Sequence, residues 1–177
     1  GSVALTEPNT NRYQQVTDSE LKLMLQGILS LYDMPSLPGR NFNPGNELAL
    51  YEGIRIILDI IPYDYGDSEV LEKALRAGLI IPQDMDKNRP FRRDEAVYAV
   101  MMVYRKKTGE EFFGFPVNES SFGDFSQVKE QYREAVAFAA ENGIVVGNGG
   151  YFEPGRTITT GELLIIIGRA LQSVGEI

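Results

Sequence analysis

The chain has no cysteine and no histidine, and its 177 residues include no tryptophan. Without Cys there can be no disulfide framework, thiolate nucleophile or thiolate metal site. Without His, the commonest neutral-pH acid/base and the commonest transition-metal ligand are gone. Carboxylates, Lys and Tyr remain for chemistry, but the expectation is a protein that is not an enzyme, with no metal and no cofactor. Long apolar runs are missing too. None approaches the roughly 18 residues needed to cross a bilayer, so membrane insertion is not expected. No basic-apolar signal segment opens the sequence, and Gly1-Ser2 reads as the remnant of a cleavage. A secretion signal, if the protein is exported, is expected outside it. Freedom from cysteine fits an exported bacterial protein or a cytosolic one. Positive charge is also scarce: Lys and Arg number 17 against 25 Asp and Glu, for a net charge of −8. A nucleic-acid binder should carry a basic face, so that partner is not expected. An anionic ligand would need a local cluster of Arg or Lys.

What is present is ordinary for a globular domain: 43% apolar and 24% charged residues. The length suits one substantial core or two small ones. Residues 1–15 are polar and read as an extended arm. Thr17 and Glu20 have capping-box spacing, and Leu21, Leu25, Ile28 and Leu29 then share one helical face. A loop with Pro35, Pro38 and Gly39 follows. From Leu48 to Ile61 the chain is apolar almost all round, which predicts a helix buried on most sides. Pro62 ends it.

The cycle then recurs. Asp67 to Ala77 predicts an amphipathic helix stopped at Gly78. After a loop with Pro82 and Pro90, Ala96 to Tyr104 is apolar nearly all round, and Gly109 closes it. In a third cycle Val128, Tyr132, Val136 and Ala139 predict one helical stripe, stopped at Gly143. A Gly-rich loop then leads to an apolar helix from Leu163 to Leu171, with its start signal at Thr159. Its Leu-Leu-Ile-Ile-Ile run also suits a buried strand, but length and the start signal favour helix. The expected units are 16–62, 63–109 and 122–174, with 110–121 as linker, in one compact all-α module. Each is a helix–loop–helix, and the three apolar helices predict an inner three-helix bundle.

The register supports the repetition. Phe152-x-Pro154 precedes Ile158-Thr159-Thr160-Gly161-Glu162, as Phe42-x-Pro44 precedes Leu48-Ala49-Leu50-Tyr51-Glu52. The second unit supplies Phe91-Arg92-Arg93-Asp94-Glu95 without the Phe-x-Pro. Thr159 and Glu162 have capping-box spacing, which by itself accounts for both residues.

Here the third unit resembles the S-layer homology family. It carries Phe122-x-Asp124, Tyr132, Ala135-Val136, Gly143-Ile144, Gly147, Phe152-x-Pro154, Ile158-Thr159-x-x-Glu162 and Arg169-Ala170-Leu171 in order. The resemblance is less complete at Gly78-Leu79 and Phe91 to Glu95, and slight in the first unit. It implies three tandem repeats in a pseudo-threefold, all-helical arrangement. It also implies a non-catalytic module that binds secondary cell-wall polysaccharide, often pyruvylated, at the bacterial cell surface. The family's Thr-Arg-Ala-Glu motif points its Arg at the ligand groove, where a guanidinium can grip a ketal carboxylate with two bonds. Here that position reads Leu50, Arg93 and Thr160. The expected ligand residues are therefore Arg93 with Arg92 and Arg89 nearby, then Arg156 and Tyr151 in the third loop. Tyr132 stands where the family has Trp and can stack on a sugar face. The expected partner is an anionic cell-wall polysaccharide. A second reading keeps the fold and substitutes protein partners, in a surface layer or a larger exported protein.

Three other signals compete. Asp84-x-Asp86-x-Asn88 with Glu95 has calcium-loop spacing, but Arg89 replaces the required Gly, and Arg92 and Arg93 crowd the site. Gly147-Asn148-Gly149-Gly150 lacks the strand and Gly-Lys-Ser/Thr of a phosphate cradle and predicts a tight turn instead. Glu110, Glu111 and Asp124 offer carboxylates for a glycosidase pair, with no sign that any two share a cleft.

Overall fold

A computed structural model describes residues 45–61, 63–83, 85–117 and 122–175. The expected arm, the Thr17 helix, Phe42-x-Pro44, Pro62 and Asp84 lie outside the described residues. Within them the chain is helical, with isolated β-bridges and no strand. The helices are α1 (Leu50–Ile60), α2 (Val70–Arg76), α3 (Arg93–Thr108), α4 (Arg133–Glu141) and α5 (Thr160–Ser173).

The apolar segments made the expected helices, with instructive differences. α5 starts as predicted: Thr159 Oγ1 accepts the Glu162 N–H at 3.3 Å, and Glu162 returns a bond to the Thr159 N–H at 3.3 Å. Every residue from Thr160 to Leu171 is buried. α1 is less enclosed than its sequence suggests, because Glu52 and Arg55 face solvent. α3 extends beyond the apolar run at both ends. Asp94 and Glu95 enter its first turn and Arg105, Lys106 and Lys107 its last, where each sign complements the helix dipole. α2 begins at Val70 because the Glu69 carboxylate, accepting the Leu71 N–H at 3.1 Å, provides the cap.

The stripe from Val128 to Ala139 is buried but is not one helix. Val128 and Tyr132 precede α4: Val128 caps a short 3-10 turn at Phe125–Gln127 in extended conformation, and Tyr132 ends a second at Glu130–Tyr132. Two side chains take the backbone groups a continuous helix would use. Arg133 donates to the Val128 and Ser126 carbonyls, and Asp94 accepts the Lys129 N–H. The expected linker is anchored as well: Phe112 is buried, its ring 6.2 Å from Tyr98 and 6.3 Å from Phe138.

Helices α1, α3 and α5 touch one another pairwise. Their N-terminal approaches are laced by two sets of three backbone hydrogen bonds, the first of which closes into a ring. Leu48 N–H donates to the Ile158 carbonyl, Ile158 to Phe91 and Phe91 back to Leu48, at 2.9, 2.8 and 3.0 Å. A second set runs from Leu50 to Arg89, from Arg93 to Arg156 and from Thr160 to Asn46, at 2.8, 3.0 and 2.9 Å. These bonds satisfy backbone groups that a buried helix start would otherwise leave orphaned.

Candidate functional site

A groove of about 320 Å³ opens between the start of α3 and the turns before α4. Gln83, Arg89, Pro90, Arg92, Glu95, Lys129, Tyr132 and Gly155 line it. Three residues expected from the sequence, Arg89, Arg92 and Tyr132, therefore meet here. Arg93, Arg156 and Tyr151 are not among its lining residues.

The rewiring of the α3 start explains who faces the groove. In α5 the N-cap is Thr159, and Glu162 closes the capping box. In α3 the N-cap is Arg92, which makes no such bond. Asp94 takes over: its Oδ1 accepts the Glu95 N–H at 2.8 Å. Glu95 is thereby freed and accepts two bonds from Arg89, at 2.8 and 2.6 Å. The carboxylate a calcium loop would need at its twelfth position is thus held by an arginine. Among the described residues no cluster of three acidic side chains is disposed to hold a metal.

Arg92 lies in the groove wall, its side chain 29% exposed. Its Nε and Nη2 donate to the two oxygens of Asp94 at 3.0 and 2.9 Å. That hydrogen bond is the main reason its pKa is raised. The opposite, Nη1 edge has no acceptor among the described residues and runs past Gly155, whose added Cβ would sit 3.5 Å from Nη1. Lys129 is exposed on the facing wall, and its ammonium is likewise without a described partner. Tyr132 is buried except where it meets the groove and accepts a bond from Gln83 Nε2 at 2.9 Å. Burial, with the nearby Glu95 charge, pushes its phenol up to about 12, so it stays a neutral donor at physiological pH.

Arg93 is placed differently from the sequence expectation that it faces a ligand. It is 2% exposed and pairs with Glu162, which is fully buried. Its Nε donates to the Phe152 carbonyl at 2.9 Å, and its guanidinium lies 4.9 Å over the Phe152 ring. Burial of Glu162 nearby explains this: a carboxylate out of water needs a cation. Arg156 shares it, with Nη2 2.9 Å from the same oxygen, and reaches Glu153 at 3.2 Å. Tyr151 is exposed and lies against Gly123. Leu50 and Thr160, in the positions matching Arg93, are buried.

Several site residues were not found by sequence reasoning: Asp94, Lys129, Gln83 and Gly155. One signal was available. Arg89-x5-Glu95 and Arg156-x5-Glu162 share a spacing, and both are ion pairs.

The Phe122-x-Asp124 segment has a structural task. Asp124 accepts the N–H groups of Phe152 and Glu153 at 2.9 and 2.8 Å. Glu153 is held at φ 59, a left-handed conformation few non-glycine residues adopt. Asp124→Ala is expected to lower stability by about 2–4 kcal/mol by orphaning these donors. Asp124→Asn, which keeps an acceptor, should lose less in the same urea titration.

These features define an all-helical module with a small, cation-lined groove and no evident catalytic constellation among the described residues. Residues 121–164 match the family model described as the S-layer homology domain, and the chain carries a domain of that family there. Such domains occur in cell-surface proteins, where they serve as anchoring modules that bind the cell wall. No curated protein sequence matches the chain. No helix among the described residues is long and apolar enough to cross a membrane.

Proposed function

We propose that the chain is a non-catalytic anchoring module of the bacterial cell surface whose groove at Arg92 binds an anionic cell-wall polysaccharide. The observation that carries this is the free edge of Arg92. With Nε and Nη2 spent on Asp94, the Nη1 side is presented to the groove, and Lys129 faces it. A guanidinium and an ammonium across a small groove suit one carboxylate, such as that of a pyruvyl ketal. Tyr132, buried behind the groove with its hydroxyl bonded to Gln83, backs the site rather than stacking on the sugar.

In this reading the chain comprises three diverged copies, 16–62, 63–109 and 122–174, joined by 110–121, around a pseudo-threefold axis. The two sets of backbone hydrogen bonds support it, since their members occupy matching positions in the three segments. The copies differ in ligand chemistry. Ala49 and Thr159 stand where Arg92 does, so the groove at Arg92 is the working one. Arg89 serves it by neutralising Glu95, and Arg93 and Arg156 support it from the interior through Glu162.

The test is co-sedimentation with purified sacculi that retain their polysaccharide. Arg92→Ala and Lys129→Ala should each weaken binding by about tenfold, the usual worth of a charge-assisted hydrogen bond. Gly155→Leu should block the groove, because its backbone tolerates a side chain and the added atoms point at Arg92. Binding unchanged in all three folded variants would overturn the reading. The absence of Arg at Leu50 and Thr160, the positions matching Arg93, motivates a second reading, assembly with other proteins, under which wall binding is missing and light scattering shows a concentration-dependent mass.

A further inference from the structure

Resting on that reading of the groove, we infer that Asp94 is its positioning residue: one buried carboxylate sets the guanidinium that faces the ligand and anchors the backbone of the opposite wall. The family's Thr-Arg-Ala-Glu motif has alanine at this position, so the role belongs to this chain. Asp94 is completely buried and holds three groups at once. Its two oxygens fix the Arg92 guanidinium in a two-bond fork. Oδ1 also accepts the Glu95 N–H at 2.8 Å, tying the fork to the first turn of α3. Oδ2 also accepts the Lys129 backbone N–H at 3.1 Å, tying it to the opposite wall.

The geometry has a chemical consequence. An unrestrained arginine side chain samples many rotamers and loses that freedom on binding. Arg92 is already immobilised, with one edge occupied and the other directed outward. It can therefore bridge two carboxylates, Asp94 inside and the ligand outside. Asp94 also anchors the Lys129 backbone, so the point from which that exposed side chain extends is set by the same carboxylate. The groove should then select for a carboxylate at one position, more than for negative charge in general.

Two small probes test this by titration calorimetry: a methyl hexoside carrying a 4,6-O-(1-carboxyethylidene) ketal, and its 4,6-O-isopropylidene counterpart, in which methyl replaces carboxylate. Asp94→Asn should weaken the carboxylate probe by about tenfold and leave the neutral probe unchanged. Combined with Arg92→Ala it should add nothing, since both remove the same fork. Arg92→Lys approaches the question without altering the buried carboxylate. A lysine cannot span Asp94 and a ligand together, so it should lose a comparable factor. Full affinity in Asp94→Asn and Arg92→Lys, with loss in Arg92→Ala, would overturn the positioning role and leave the groove reading intact. Equal loss for both probes in Asp94→Asn would mark a merely structural role and also overturn it. Full affinity in Arg92→Ala would overturn the groove reading itself.

Discussion

Replacing Arg93 by alanine is expected to cost about 3–5 kcal/mol of folding stability, the range for breaking a buried ion pair from one side. Glu162 is fully buried, and its charge is tolerated because Arg93 and Arg156 both reach it. Arg156 remains in the variant, which favours the lower part of the range. Three further losses push the other way. The Phe152 carbonyl loses its Nε donor, the Phe152 ring loses its cation, and a large buried side chain leaves a void. A shift in the urea midpoint at constant slope would measure the sum. Arg93→Met combined with Glu162→Gln should recover most of it, because volume returns and no charge is left unpaired. Folded Arg93→Ala should bind sacculi far better than Arg92→Ala does. A stability change below about 1 kcal/mol would contradict the buried pair.

That contrast shows what a sequence can and cannot disclose here. Thr159 and Glu162 are three residues apart, and their bonds are local, so the start of α5 was legible as a pattern. Gly78 and Gly143 were legible as helix stops for the same reason. The direction of Arg93 was not, because its partner is 69 residues away in sequence. Adjacent arginines look equivalent in a string. In the fold Arg92 meets a groove and Arg93 meets the interior, since neighbouring positions at a helix start point apart. The resemblance implied that Arg93 faces a ligand, whereas in the fold Arg93 is 2% exposed and Arg92 lines the groove. The stripe from Val128 to Ala139 was legible as buried but not as broken. Its periodicity is real, yet Asp94 and Arg133 divert the backbone, and the first of these comes from another segment. α3 reads shorter in sequence than it is because charged residues flank its apolar run. They are its ends, where charge stabilises a helix.

Gly147→Ala is expected to be the most damaging of the glycine substitutions in the third loop, at about 3 kcal/mol or more. Two effects add. Gly147 has φ 67, a left-handed conformation that costs a residue with a Cβ roughly 1–2 kcal/mol. The added Cβ would also lie 2.5 Å from the Tyr151 carbonyl oxygen and 2.8 Å from the Phe122 ring. The ring is buried, and the carbonyl is not free to retreat. It accepts the Asn148 N–H at 2.8 Å, while the Tyr151 N–H donates back to Asn148 at 3.0 Å. This pair closes a two-residue turn through Gly149 and Gly150, both at positive φ, as a tight hairpin requires. Gly149→Ala is the control. It shares the backbone strain at φ 59 but meets no atom within 4 Å, so it should lose only about 1 kcal/mol, and Gly149→Asn less. The difference between the two alanine variants in thermal or urea unfolding isolates the steric part. It also reaches the core of the site. Phe152 directly follows the turn, Asp124 holds its N–H and Arg93 holds its carbonyl. A displaced Tyr151 carbonyl pulls on both bonds, so Gly147→Ala and Arg93→Ala should be less than additive when combined.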